Sequence, residues 1–170
     1  MLHIDGLMVF LSVLLSVGAQ TKDSPMTNQL LTLTVKCKGN DRCLYDGQDM
    51  PLEIHITNKQ PVVVGFPLEY RQKTGPSIRL MDTRTKADAY LKTNLASFSL
   101  RDKFTQIPPG ESVVLRWVIT SGEIEQFVGN TVDISAEVSL GADVQVGEKR
   151  VDFVGEDKIH IVGKKKPKSS

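Results

Sequence analysis

The sequence predicts an all-β fold, an antiparallel sandwich of about seven to nine strands with immunoglobulin-like topology in a single domain. Three observations predict it. Apolar and polar residues alternate with a period of two in segment after segment, no segment carries a long helical stripe, and no internal repeat is present. The chain has 170 residues, of which 40% are hydrophobic, enough for one domain with a core. A closed β-barrel is the alternative arrangement of the same strands.

Leu31, Leu33, Val35 and Cys37 alternate with Thr32, Thr34 and Lys36 to make the first strand. Leu52, Ile54 and Ile56 alternate with Glu53, His55 and Thr57 in the second, and Asn58-Lys59-Gln60-Pro61 turns the chain into a third at Val62-Val63-Val64. The less regular segments 78–83, 96–104 and 144–153, bounded by Gly, Pro or charge, are each able to supply a further strand. Pro108-Pro109-Gly110 opens the strand in which Val113, Leu115, Trp117 and Ile119 share a face, so the only Trp is expected in the core. Val132, Ile134, Ala136, Val138 and Leu140 alternate with Asp133, Ser135, Glu137 and Ser139. A last strand, 158–162, turns Ile159 and Ile161 inward and His160 outward. Residues 86–92 and 122–127 have room for a turn or two of helix.

The ends read differently. Residues 1–19 are expected to be a signal peptide: an apolar run of about eleven residues ends in Val17-Gly18-Ala19, too short to span a bilayer and suited to cleavage after Ala19. Its first residues, MLHIDG, lack the usual basic charge, and Met8 is an alternative start. Residues 20–28 read as a flexible linker, 29–162 as the β-sandwich domain and 163–170 as a basic tail. Lys164, Lys165, Lys166 and Lys168 of that tail offer weak contact with an anionic surface. Export, to the periplasm or the outside, makes a disulfide between Cys37 and Cys43 the expected state of the only two cysteines.

Charge and motifs exclude more than they assign. Lys+Arg at 21 against Asp+Glu at 20 leaves a net charge of +1, without the basic excess of a nucleic-acid binder. His55 and His160 fall on outward strand positions, and no Gly-x-Ser-x-Gly, His-Glu-x-x-His or phosphate-loop motif occurs, so neither an enzyme nor a cofactor is expected. Asp41, Asp46 and Asp49 form the densest acidic group and are the calcium candidates, without the spacing of an EF-hand. Glu69, Tyr70, Arg71 and Tyr90 are the candidate binding surface, because Tyr and Arg are favoured at interface hot spots.

Ile56-Thr57-Asn58 at a strand end, Val62 to Val64 after it, and Ile107-Pro108-Pro109-Gly110-Glu111-Ser112 before an alternating strand carry a resemblance. Across residues 50–137 the chain resembles exported bacterial immunoglobulin-like domains. Similar layouts occur in the prodomain-like region of deuterolysin-type metalloproteases and in small proteinase inhibitors of the bacillus type. The resemblance implies a sandwich and brings no catalytic residue with it; no zinc domain follows, so proteolysis is not expected. The expected function is a non-enzymatic, exported protein-binding module acting through the loops at the sandwich ends on an unidentified protein. The alternatives are an inhibitor of a secreted protease, inserting 70–77 or 82–93 into an active-site cleft, and an enzyme with an unrecognised site.

Overall fold

The computed structural model describes residues 30–165. The expected signal peptide and linker, and Lys166 and Lys168, lie outside them. The elements run β1 (Leu31–Cys37), β2 (Leu44–Tyr45), β3 (Met50–Asn58), β4 (Val64–Phe66), α1 (Leu68–Thr74), β5 (Ser77–Asp82), β6 (Asp88–Tyr90), a 3-10 turn (Phe98–Leu100), β7 (Thr105–Ile107), β8 (Ser112–Ile119), α2 (Ser121–Glu125), β9 (Thr131–Val146) and β10 (Lys149–Lys164). They build a two-sheet, sandwich-like all-β fold. One sheet has the order β1-β3-β8; the other has β2-β10-β9-β4-β7, with β5 also on β9 and β6 on β5. Neither sheet closes into a barrel.

Period-two alternation puts the two apolar faces against each other. Leu31, Leu33, Val35, Leu52, Ile54, Ile56, Leu115 and Ile119 come from the smaller sheet; the even-numbered residues Val132 to Val144 of β9, with Ile78, Leu80, Val64 and Phe66, come from the larger, all in one buried cluster. The spine is the β9–β10 hairpin, paired from Val146↔Lys149 to Thr131↔Lys164. Its two-residue turn has Gly147 at φ 60°, the positive value that the first position of a tight hairpin turn requires.

Several elements differ from the sequence reading, each for a tertiary reason. Segment 144–153 is the tip of that hairpin rather than a separate strand, and 96–104 holds the 3-10 turn instead of a strand. The strand expected at Val62 begins at Val64, with Val62 and Val63 exposed. Residues 88–90, within the helical candidate 86–92, pair with β5 as β6. The sheet is mixed, because β2 runs parallel to β10. Tyr45 of β2 is buried and its hydroxyl donates to Glu125 Oε1 at 2.7 Å. Burial first, and then this carboxylate, push the phenol pKa well above its ordinary value.

The basic tail starts later than expected, since Gly163 and Lys164 pair with Val132 and Thr131. Lys165 is held too, its Nζ donating to the carbonyls of Glu125, the last residue of α2, and of Phe127 beyond it. Trp117 faces inward but is half-buried, packed at the core's margin on Gly75, where an added Cβ would run into the ring. Gly75, at φ 79°, ends α1 and returns its N–H to Arg71 O at 2.8 Å.

Candidate functional site

The strand that organises the larger sheet changes neighbours part-way along. β5 pairs with β9 up to Ser77↔Ser139, and β4 resumes on the same side only at Gly65↔Gln145. Residues 140–144 therefore have no strand beside them on that side. The chain between β4 and β5 is α1, a short helix with Pro67 before it, Glu69 in its first turn and Arg71 and Lys73 in its last, charges that suit the helix dipole. Tyr70 and Arg71 stand beside this break.

Three clefts join there into one groove on the outer face of the sheet. The first, about 570 Å³, is bounded by Ser77, Arg79, Tyr90, Glu137, Ser139 and Lys158. The middle one, about 290 Å³, shares Ser77 and Ser139 with it and is lined by Tyr70, Arg71 and Asn94. The last, about 280 Å³, lies among Tyr70, Arg71, Arg101, Asp143 and Phe153. Tyr70, Arg71 and Tyr90 of the sequence-predicted surface thus line a single groove, on two different elements. Glu69 is exposed on α1 and borders none of the three clefts.

Ion pairs fix most of the charge in the groove. Arg79 Nε donates to Asp88 Oδ2 at 2.7 Å, its Nη1 lies 3.5 Å from Glu137 Oε2, and its guanidinium is 5.9 Å from the Tyr90 ring centre. The Asp88 hydrogen bond is the main reason its pKa lies above the ordinary value. Lys158 reaches Glu137 at 3.6 Å and Arg101 reaches Asp143 at 2.6 Å. Arg71 is half-buried 5.4 Å from the Tyr70 ring centre, and its Nε is buried with no hydrogen-bond partner. Burial pushes the pKa of this guanidinium down, as does the Arg101 charge, against upward effects of Tyr70 and Asp143.

Sequence reasoning missed Arg79, Arg101, Glu137, Asp143 and Lys158 as groove residues. A signal existed for Glu137, which alternation already turned outward; the register that sets Lys158 opposite it exists only in the folded sheet.

The remaining candidates lie elsewhere. Cys37 and Cys43 are disulfide-bonded across a Cα separation of 5.4 Å, a bond suited to an oxidising compartment. Asp46 Oδ1 accepts from Gln48 N at 3.1 Å and Asp49 Oδ1 from Ser121 N at 2.8 Å, so two of the three calcium candidates hold turns. Among the described residues no three His, Cys, Asp or Glu side chains gather in a way that could hold a metal ion. His55 lies 4.0 Å from Glu53, and His160 Nε2 lies 2.6 Å from Asp133 Oδ1, both on open strand faces outside the groove. No helix among the described residues is long and apolar enough to cross a membrane.

No protein family matches the chain. No curated protein matches it either. Among solved structures it is similar to Spo0M, a sporulation control protein from Bacillus subtilis, at 12% identity and a TM-score of 0.42, over 79% of this chain and 49% of that one. The chain thus spans about half the length of Spo0M. The structural-genomics target SoR45 has 8% identity and a TM-score of 0.39, over 76% and 86%. β-Glucosidase 3B from Thermotoga neapolitana, in complex with glucose, has 15% identity and a TM-score of 0.31, over 78% and 17%.

Proposed function

We propose that the chain is a non-enzymatic, exported, immunoglobulin-like protein-binding module whose contact face is the groove along β9. The observation that carries this reading is the continuity of the three clefts across the break in the sheet, with aromatic and Arg side chains at both ends. Tyr supplies rigid contact area at little entropic cost and Arg a planar fork of directed hydrogen bonds, and both are enriched at interface hot spots. Tyr90 is 68% exposed, so the part of its ring that Arg79 does not cover is open to a partner. The face is therefore the sheet beside α1, in place of the sandwich-end loops. Both histidine–carboxylate pairs stand away from this groove, which favours binding over catalysis.

The test is affinity capture with the tagged chain and with a Tyr90→Ala/Lys158→Glu double variant of matched melting temperature. A protein retained by the first and held at least tenfold less by the second is expected. Equal retention by both would remove the groove as the contact face.

One observation favours inhibition of a secreted protease as a second reading. Of the two loops expected to insert, 70–77 is largely α1 and 82–93 is largely the β5–β6 hairpin. The coil after β6 is the better candidate, because Leu95 projects fully into solvent. Its stem is fixed by Leu91 N to Ile78 O at 2.8 Å and Asn94 N to Thr74 O at 2.9 Å. Inhibition of any member of a serine, cysteine and metalloprotease panel, lost in Leu95→Glu, is the result expected of this reading. No inhibition anywhere in the panel would retire it.

A further inference from the structure

Three arginines line the groove, and their partners divide them. Arg79 is held by Asp88 and Glu137, and Arg101 by Asp143. Arg71 has no hydrogen bond or ion pair to any described carboxylate, and its buried Nε makes no hydrogen bond at all. The Nε of this half-buried guanidinium has lost water without regaining an acceptor, a cost that an anion taken up by the same guanidinium offsets in part. The planar fork of an arginine matches a carboxylate through two parallel N–H···O bonds.

The surroundings narrow the anion. Asp143 and Asp152 stand directly opposite each other on β9 and β10, and Arg101 balances only Asp143. With Arg71 and Arg101 set against Asp143 and Asp152 the cleft carries no net charge, which suits a singly charged carboxylate better than a phosphate dianion. The two clefts that Arg71 lines also share Tyr70 and Gly141, and the middle one shares Ser77 and Ser139 with the first, a run of adjoining clefts whose length suits an extended polypeptide rather than a small acid. We propose that Arg71 anchors an acidic side chain, Asp or Glu, of a partner polypeptide lying in the groove across the break at residues 140–144. The inference rests on the groove being the contact face and adds the chemistry that this face selects.

The test starts from a randomised, N-acetylated and C-amidated heptapeptide library, selected on the wild-type chain and on Arg71→Gln. The expected result is at least tenfold enrichment of Asp or Glu at one position with the wild type, absent with R71Q. Arg71→Lys keeps the charge and loses the fork, and should recover only part of the enrichment. Selected peptides without an acidic position would overturn the anchor and leave the groove reading standing. A second measurement needs no variant: sodium acetate is titrated into the ¹⁵N-labelled wild-type chain while the Arg71 Nε–H resonance is followed. A saturable shift, absent with sodium chloride, is expected. No enrichment together with no acetate shift would overturn both the anchor and the groove.

Discussion

Every polar atom of the Asn58 side chain is used. Its Nδ2 donates to Val62 O and Ile107 O, each at 2.8 Å, and its Oδ1 accepts from Gln60 N at 2.8 Å. Its backbone holds the Pro-Pro-Gly turn, through Asn58 N to Glu111 O at 2.9 Å and Gly110 N to Asn58 O at 3.0 Å. The two halves of the sequence resemblance, Ile56-Thr57-Asn58 and Pro108 to Ser112, are therefore one hydrogen-bonded corner. Asn58→Ala strands two carbonyls and should cost about 2–4 kcal/mol, read as a lower urea midpoint at unchanged slope. A cost below about 1 kcal/mol would mean that water replaces the amide. Asp82 is the buried carboxylate of a second such corner, accepting from Thr85 N and Arg84 N at 2.9 Å and paired with Arg84 Nη2 at 3.3 Å. The Thr85 bond leads the effects that lower its pKa below the ordinary carboxylate value, while burial opposes them. A carboxyl with a depressed folded pKa contributes stability that is fully present above its unfolded value, about 4, and is lost as pH falls through the folded value. Asp82→Asn retains the turn geometry and removes the titration. Its melting temperature should fall below wild type at neutral pH and converge with it in acid; a gap that stays constant with pH would show that Asp82 is not a source of the acid sensitivity.

Helix α1 is short and has no apolar stripe, yet it guards an open strand. β8 pairs with β3 on one side only, and on the other Gln72 Nε2 donates to Arg116 O at 2.6 Å while Gln72 Oε1 accepts from Arg116 N at 3.0 Å. A side-chain amide thus takes the two backbone groups that an adding strand would use. Gln72→Ala should raise hydrogen exchange at the Arg116 amide at least tenfold and produce concentration-dependent self-association in sedimentation. An Arg116 amide that stays protected would show that the packing of α1, rather than the amide, closes this edge. The same contact explains which elements were legible in the sequence. β1, β3, β8 and the first half of β9 bury one face, so composition alternates along them and their positions could be read. α1 and β2 are held by partners 44 and more than 100 residues away, Gln72 on Arg116 and Leu44 on Val162, and local sequence carries little of that. Pro67 before α1 and Gly75 after it were the available signal. For the site, residue chemistry singled out Tyr70, Arg71 and Tyr90, whereas their convergence depends on β9 changing neighbours, which only the sheet register contains.

At the scale of the molecule, two sheets must close along a seam where β10 passes β1. Asp157 points inward there and its Oδ2 accepts from Val35 N at 2.7 Å, giving the free edge of β1 one partner from the opposite sheet. One step earlier on the same inward face is Gly155, and a Cβ at that position would lie 2.6 Å from the Phe153 ring and 2.8 Å from Leu33 Cβ. The close approach of the sheets therefore depends on a missing side chain, not on an unusual backbone, since Gly155 is not among the positive-φ glycines. Gly155→Ala must displace either a ring in the edge-on Phe66–Phe153 pair or the β1 backbone, and the packed core yields to neither cheaply. The expected cost is about 1–3 kcal/mol. Because the strain falls on the seam, the Val35 amide should also lose protection against exchange as its bond to Asp157 lengthens. Gly122→Ala, with nothing near its added Cβ and no positive φ, is the control: it should cost nothing and, being inside α2, raise stability by up to about 1 kcal/mol. If Gly155→Ala costs as little as Gly122→Ala, the sheets have slack at this crossing and Asp157, not close packing, holds them together; the Asp157→Asn variant would then carry the loss instead.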